Sequence, residues 1–129
     1  MSAFDSVHPS VFDSVANQHP YELRQGIQAR AINGQRLTMA VIDLEPKAIS
    51  PEHRHDNEQL GFVIQGSITM RIGNEKKLLQ AGETYAIPSN VPHDAIAGPD
   101  GATVVDVFAP VRADWTQLRR SDPSPGRWP

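Results

Sequence analysis

Residues 53–66 read HRHDNEQLGFVIQG, and the rest of the chain is organised around this segment. His53 and His55 stand one residue apart and precede a strand-like apolar run that ends in glycine. Alternate residues of an extended segment share a face, so the two histidines point the same way, and Gln59 joins them if the pleat continues. Glu58 has the opposite parity. The pattern predicts that the Gln59 amide, and not the Glu58 carboxylate, faces a metal held by the histidines, unless a β-bulge intervenes.

Length, charge and cysteine content restrict the class of protein. The chain has 129 residues, which suits one domain with a real core and is too short for two. Its formal net charge is −3 and its pI is about 5.9, which argues against nucleic acid or an anionic membrane surface as partner. Without cysteine, a bound metal must use imidazole, carboxylate or amide ligands. We therefore expect a small soluble molecule as the partner.

Hydropathy bears on the cellular location of the protein. No apolar stretch approaches the roughly 18 residues needed to span a bilayer. Residues 1–13 lack the basic start and apolar block of a secretory signal. These features predict a cytoplasmic protein with no membrane partner.

From Ile27 onward, short strand patterns alternate with turn signals, which is typical of an all-β sandwich or barrel. Asn33-Gly34 predicts a hairpin turn, and Pro46 and Pro51 are expected to break the chain before the histidines. The expected strands are residues 28–32 and 37–44, a strand running to residue 66, another with Ile68, Met70 and Ile72 on one face, and four short strands at 78–79, 84–87, 94–97 and 103–108.

The strand pattern divides the chain into three parts. Residues 1–26 are expected to form an N-terminal arm, residues 27–112 a single β domain, and residues 113–129 a short helix followed by a loose tail. The arm is long enough to cross to a second subunit, and its apolar residues could pack there or cover the mouth of a barrel; these are Phe4, Val7, Val11 and Phe12. His8 and His19 each precede proline and are expected to mark turns. We therefore expect a homodimer.

A second segment with site character reads GETYAIPSNVPH, residues 82–93. Gly82 permits a turn, Pro88 ends a strand, and Asn90 is among the few non-glycine residues that tolerate a positive φ. His93 then begins the next strand, where it can become a further metal ligand.

Together these two segments resemble the motifs of the cupin superfamily. The first motif places Glu after a His-x-His pair and ends in glycine; the chain fits it with Gln59 in the Glu position. The second motif fits through Gly82, Pro88 and His93, and departs at Asn90 and Ala97. The resemblance covers about residues 27–110. It implies a small antiparallel jelly-roll barrel, also called a double-stranded β-helix.

A narrower resemblance, to pectin-degradation cupins of the KdgF type, rests on the pair Glu58-Gln59 and on residues 106–112, DVFAPVR. Those proteins hold a divalent metal with three histidines and a glutamine, and convert 4,5-unsaturated uronate monosaccharides to linear 5-keto-4-deoxyuronates. By position, the resemblance implies the metal ligands His53, His55, Gln59 and His93, and the reaction-site residues Asp106, Phe108 and Arg112.

The ligand types agree with an acidic substrate. Three imidazoles and an amide leave a divalent ion with its full charge, which attracts a carboxylate such as that of a sugar acid. The ion is expected to be nickel, zinc, iron, manganese or cobalt, and the ligands do not decide among them. A neutral ligand set mildly disfavours oxygen chemistry through a ferric state. An iron-dependent dioxygenase and a non-catalytic sugar-acid-binding protein remain alternatives.

Three residues are assigned roles in uronate ring opening. Asp106 would donate a proton, Phe108 would provide an apolar wall that raises the pKa of that carboxyl, and Arg112 would hold the substrate carboxylate by paired hydrogen bonds. Each also has a plainer explanation. Asp106 could pair with a buried arginine, Arg112 could form a surface ion pair, and Phe108 could belong to the core.

Overall fold

The computed structural model describes residues 11–127, and almost all of its regular structure is antiparallel β-sheet. Phe4, Val7 and His8, to which a role was assigned in the arm, lie outside the described residues. The strands are β1 (Tyr21–Arg24), β2 (Ile27–Asn33), β3 (Thr38–Leu44), β4 (Ile49–His53), β5 (Glu58–Ile72), β6 (Glu75–Gln80), β7 (Thr84–Ile87) and β8 (His93–Ala109). Two 3-10 helices span Val15–Asn17 and Ala113–Gln117.

The two long strands, β5 and β8, pass through both layers of a jelly roll. Each strand bends once where it passes from one layer to the other. In the first layer, residues 58–66 of β5 pair with residues 102–109 of β8, between β3 and β7. Beyond the bend, residues 68–72 of β5 pair with the start of β8, between β6 and β4. β1 and β2 extend the first layer beyond β3. The expected all-β jelly-roll fold is confirmed.

Glycines make the bend between the layers. The pairing of β5 with β8 shifts between residues 63 and 65 and again between 66 and 68. Gly66 there has a φ of 75°, a conformation that costs glycine little, and a Cβ at this position would overlap the carbonyl of Gly101 on β8. The close approach of the two backbones explains why position 66 needs glycine.

Inward-facing side chains of both layers form the core. On β3 these are Ala40, Ile42 and Leu44, and on β5 they include Val63 and Ile68, all at most 6% exposed. Met39 and Leu60, of the opposite parity, are about half exposed. Ile68 and Met70 of β5 lie on the core face as expected, whereas on β3 Val41 and Asp43, of the outer parity, are buried as well.

Several elements differ from the sequence-based expectations. The expected arm contributes β1 to the sheet, where Tyr21 is buried against Trp115. β4 was not expected, because Pro51 lies within it; the pairing of β4 with β8 is irregular at that point. Residues 94–97 and 103–108, expected as two strands, belong to the single strand β8.

The C-terminal segment is anchored and is not a loose tail. Arg30, whose side chain is fully buried, pairs with Asp43 at 2.8 Å and donates to the carbonyl and hydroxyl oxygens of Ser124. The backbone N–H of Arg127 donates to the same Asp43 carboxylate. Residues 124–127 therefore cover a buried ion pair on the outer face of β2 and β3. Among residues 11–127, no helix is long and apolar enough to cross a membrane.

Candidate metal centre

Three histidine rings face one another beside the interior cavity. His53 ends β4, His93 begins β8, and the two residues are directly paired. Their ring centroids are 4.3 Å apart, and the His55 ring lies 4.9 Å from that of His93 and 5.7 Å from that of His53. One ring nitrogen from each residue lies within 4.8 Å of the other two. Segments separated by about forty residues thus place three metal-binding groups together.

Hydrogen bonds fix which nitrogen each ring offers. Nδ1 of His53, His55 and His93 lies 2.8, 2.9 and 2.8 Å from a backbone carbonyl oxygen. A carbonyl only accepts, so each Nδ1 carries the proton and each Nε2 presents a lone pair. Nε2 of His93 is buried and has no hydrogen-bond partner among the described residues. Three lone pairs this close, one of them without a partner, fit a divalent cation.

The protonation states agree with that fit. Burial lowers the pKa of His55, and the nearby Arg112 charge lowers it further. Burial also lowers the pKa of His93, to about 4. Both rings are therefore neutral at pH 7, which is the form that binds a metal.

Gln59 faces inward, as its parity predicts, while Glu58 is exposed on the outer face. The amide oxygen of Gln59 lies 3.1 Å from Nε2 of His55. With the His55 proton on Nδ1, this contact brings together two lone-pair atoms, which is unfavourable unless a cation lies near both. The residues present therefore fit a metal held by three imidazole nitrogens and one amide oxygen.

Asp106 lies beside this cluster and inside the barrel. Its side chain is almost fully buried, and it accepts a hydrogen bond from Nε2 of Gln59 at 3.0 Å and another from the hydroxyl of Tyr85. Burial raises the pKa of Asp106 to about 7, although these two hydrogen bonds and the charge of Arg112 oppose the rise. At neutral pH this carboxyl group can both hold and release a proton.

Arg112 also lines the cavity. Its guanidinium lies 4.7 Å from the ring centroid of Phe108 and 4.8 Å from that of Trp115. Nε and Nη2 donate to the two carboxylate oxygens of Asp114 over 3.0 and 2.9 Å. Arg112 therefore forms an ion pair with Asp114 and also lines the cavity. One edge of its fork is occupied by Asp114, so a substrate carboxylate would have to use the remaining Nη1 edge.

The cavity has a volume of about 250 Å³. Its polar wall brings together the side chains of His53, Gln59, His93, Asp106 and Arg112, together with that of Tyr85. The remaining wall is mostly apolar and includes Phe108 and Trp115. Every residue that was expected from the sequence to belong to the site lines this cavity, except His55, whose ring packs against that of Phe108.

Tyr85, Asp114 and Trp115 were not assigned a role from the sequence. For Tyr85 a signal existed: it lies two residues before the inward-facing Ile87 on a predicted strand and therefore shares its face. The expectation that Phe108 is buried on the Asp106 face is confirmed. The positive φ of Asn90, 63°, matches the turn predicted before His93.

Comparisons with known proteins agree with this architecture. A family model described as the cupin domain matches residues 40–108. The pectin degradation protein KdgF of Dickeya dadantii (strain 3937) is 32% identical over 96 residues, which are 73% of this chain and 87% of that protein.

Solved structures show the same fold. The structure of KdgF from Halomonas sp. superposes with a TM-score of 0.75 at 25% identity, over 81% of this chain and 97% of that one. An RmlC-like cupin from Shewanella frigidimarina NCIMB 400 has a TM-score of 0.76 at 23% identity, over 82% of this chain and 96% of that one. At that identity, the second likeness bears on fold alone.

Proposed function

Because the chain belongs to the cupin family, we propose that it binds one divalent metal ion and opens the ring of 4,5-unsaturated uronate monosaccharides, giving linear 5-keto-4-deoxyuronates. The observation that carries the proposal is the position of Asp106. This buried carboxyl group lies in the cavity and is joined to the three-histidine cluster through a single residue, Gln59. The 32% identity to a pectin degradation protein supports the substrate class.

His53, His55, Gln59 and His93 would hold the ion. When bound, a divalent ion would polarise carboxylate or hydroxyl oxygens of the substrate. Nickel, copper and zinc usually bind such ligands more tightly than manganese or iron, so the ion recovered would also reflect its supply. Metal analysis of purified protein should find about one ion per chain and large losses in His53→Ala and His93→Ala. Full retention in both variants would defeat the site.

The proposed reaction is an isomerisation. The substrate has a double bond between C4 and C5, and C5 also carries the carboxylate and the ring oxygen. A proton is added at C4, the anomeric hydroxyl loses a proton, and the bond between C1 and the ring oxygen breaks. The ring oxygen becomes the C5 ketone and C1 becomes an aldehyde, so no oxidant or reductant is needed.

The side chains of the cavity would divide this work. Asp106 would deliver the proton to C4, because it is the buried carboxyl group that faces the cavity and its pKa lies near neutrality. Arg112 would hold the substrate carboxylate through its Nη1 edge. Phe108 would exclude water beside Asp106 and support the Arg112 guanidinium through the contact of its ring.

An absorbance assay tests the proposal. The C4–C5 double bond is conjugated with the carboxylate and absorbs ultraviolet light, whereas the linear ketone lacks this bond. Unsaturated galacturonate and its alginate-derived counterpart should lose their absorbance faster with protein than without it. If neither does so at full metal loading, the proposed activity is wrong.

The same sample separates the two alternative functions. A uronate that binds, as seen by calorimetry, with an unchanged rate of absorbance loss would support a sugar-acid-binding protein. Oxygen uptake with iron and none with nickel would support a dioxygenase. The cytoplasmic location and the homodimer expected from the sequence remain proposals.

A further inference from the structure

A chain of three side chains runs from the barrel wall to the histidine cluster. The hydroxyl of Tyr85 donates to Oδ1 of Asp106. Nε2 of Gln59 donates to Oδ2 of the same carboxyl, and Oε1 of Gln59 faces Nε2 of His55. All three chain members are at most 8% exposed, so water does not readily replace their contacts.

The direction of these hydrogen bonds decides what Gln59 can do. An amide side chain has an oxygen that binds a metal and an NH₂ group that cannot. Both ends have nearly the same shape, so sterics alone do not select one of them. Because Asp106 accepts from the NH₂ group, the oxygen is directed to the histidines.

Asp106 in turn needs an anchor. Its neighbours across the sheet are Gly61 on β5 and Ala40 on β3, which offer no polar side chain. Tyr85 lies opposite Gly61 on β7, and a Cβ at Gly61 would overlap both the Tyr85 ring and Oδ1 of Asp106. The missing side chain of Gly61 thus leaves room for Tyr85 to reach across a strand and hold Oδ1, while Oδ2 stays with Gln59.

We propose that Tyr85 is a positioning residue of the metal centre: through Asp106 it sets which end of the Gln59 amide faces the metal. This inference rests on the proposed metal site. Burial raises the pKa of Tyr85 well above its ordinary value, so the hydroxyl keeps the proton that it donates. Tyr85 therefore acts two hydrogen bonds away from the ion and needs no contact with it.

Cobalt binding tests the role, since the visible spectrum of Co²⁺ reports the number and type of its ligands. Tyr85→Phe removes only the hydroxyl. It should weaken Co²⁺ binding about tenfold, the lower end of the loss seen when partners of metal ligands are removed, and should alter the spectrum. Tyr21→Phe is the matched control, because Tyr21 is equally buried but lies against Trp115, outside the cavity lining. It should bind Co²⁺ like the wild type.

A double-mutant cycle separates positioning from general damage. In a Gln59→Ala protein there is no amide to orient, so adding Tyr85→Phe should cause no further loss of Co²⁺ affinity. An equal tenfold loss in that background would overturn the role of Gln59 in the proposal. Wild-type affinity and spectrum in the Tyr85→Phe single variant would overturn the role of Tyr85.

Two further results complete the test. If the wild type itself binds no Co²⁺, the metal site is wrong and the inference falls with it; if only the Tyr85→Phe comparison fails, the metal site stands. Should Tyr85→Phe not fold, the hydroxyl proton of Tyr85 can be followed by NMR in the wild-type protein. A slowly exchanging resonance coupled to the Tyr85 ring is expected, and rapid exchange of that proton would contradict the hydrogen bond to Asp106.

Discussion

Two buried aspartates of this protein lie in opposite surroundings. Asp43 is in an ion pair with Arg30 and also accepts from the hydroxyl of Thr103. Among residues 11–127, Asp106 accepts hydrogen bonds only from an amide and a hydroxyl, and burial raises its pKa to about 7. The buried arginine that could have explained Asp106 therefore has another partner. This contrast leaves Asp106 as the carboxyl group suited to proton transfer.

Replacing Asp106 by Asn should separate catalysis from metal binding. An amide cannot donate an acidic proton, so turnover of an unsaturated uronate should fall by about two to four orders of magnitude, the usual span for general acid catalysis. The Asn oxygen can still accept from Gln59, so metal content at saturating metal should remain. Near-native turnover would mean that the donor is a different group, with a metal-bound water or Glu58 next to be tested.

Replacing Arg112 by Lys should chiefly affect substrate binding. An ammonium group keeps the charge but not the planar fork or its packing against Phe108 and Trp115. The KM for the uronate should rise about ten- to a hundredfold, the range expected when a charge-assisted hydrogen bond is lost, with a smaller change in kcat. Arg36→Lys, at an exposed loop position outside the cavity, is the control. An unchanged KM in Arg112→Lys would place the substrate carboxylate elsewhere.

At the scale of elements, residues 124–127 of the C-terminal segment cover the outer face of β2 and β3. Arg30 has no exposed side-chain surface, and its partners are Asp43 and Ser124. A Cβ at Gly126 would overlap both members of the ion pair, so the segment passes directly over it. The segment therefore serves as a cover for a charge that would otherwise lie at the surface.

Asp43→Ala should destabilise the protein strongly, because it leaves the buried Arg30 charge without its carboxylate. The loss should be about 3 kcal/mol or more in urea unfolding, as for other broken buried pairs. Asp94→Asn, which breaks the more exposed pair with Arg71, should cost at most about 1 kcal/mol. Equal effects of the two substitutions would argue against the importance of the buried pair.

Strand periodicity predicted β2, β3 and β7 well, missed β1 and β4, and divided the long strand β8. β7 was expected at its observed bounds, because its alternation is clear and Gly82 and Pro88 flank it. β8 was predicted as two strands, 94–97 and 103–108, whereas it is one strand that bends between the layers. β4 was missed because Pro51 suggested a break, although the proline lies at an irregularity in the pairing.

The composition of the candidate site was largely predictable, and its connections were not. Parity along β5 placed Gln59 inside and Glu58 outside. The hydrogen bonds that link Gln59 to Asp106 and Tyr85 join three different strands, β5, β8 and β7. Pairing between distant strands cannot be deduced from one strand's alternation, so the inward parity of Tyr85 did not reveal its contact with Asp106. The ion pair of Arg112 with Asp114 is local, and strand alternation could not predict it because both residues lie after the end of β8.

At the scale of the whole molecule, the outer face of the first layer carries an apolar row. Ile32, Met39, Val107 and Leu60 follow one another across four paired strands, and Phe62 lies beside them in the next row. Ile32, Met39, Leu60 and Phe62 are 44–52% exposed. Contiguous apolar surface of this kind often marks an interface. It is therefore the surface on which we expect the homodimer predicted from the sequence.

Charge placed in this row should separate the subunits. Light scattering should show a dimer for the wild type at micromolar concentration and a monomer for Leu60→Glu/Phe62→Glu. Leu78→Glu, equally exposed on β6, should remain dimeric. A monomeric wild type would remove the dimer, and a dimeric double variant would move the interface to another surface.

The measurement that tests the proposed activity most directly is NMR of the reaction product formed in D₂O. A proton donor fixed in the cavity, Asp106, exchanges its proton with the solvent and can reach C4 from one face of the sugar only. The linear product should therefore carry a single deuterium at C4 with one stereochemical configuration, and it should form faster than in the absence of protein. A mixture of both configurations formed at the spontaneous rate, or a product without deuterium at C4, would contradict proton delivery by Asp106 and with it the proposed ring opening.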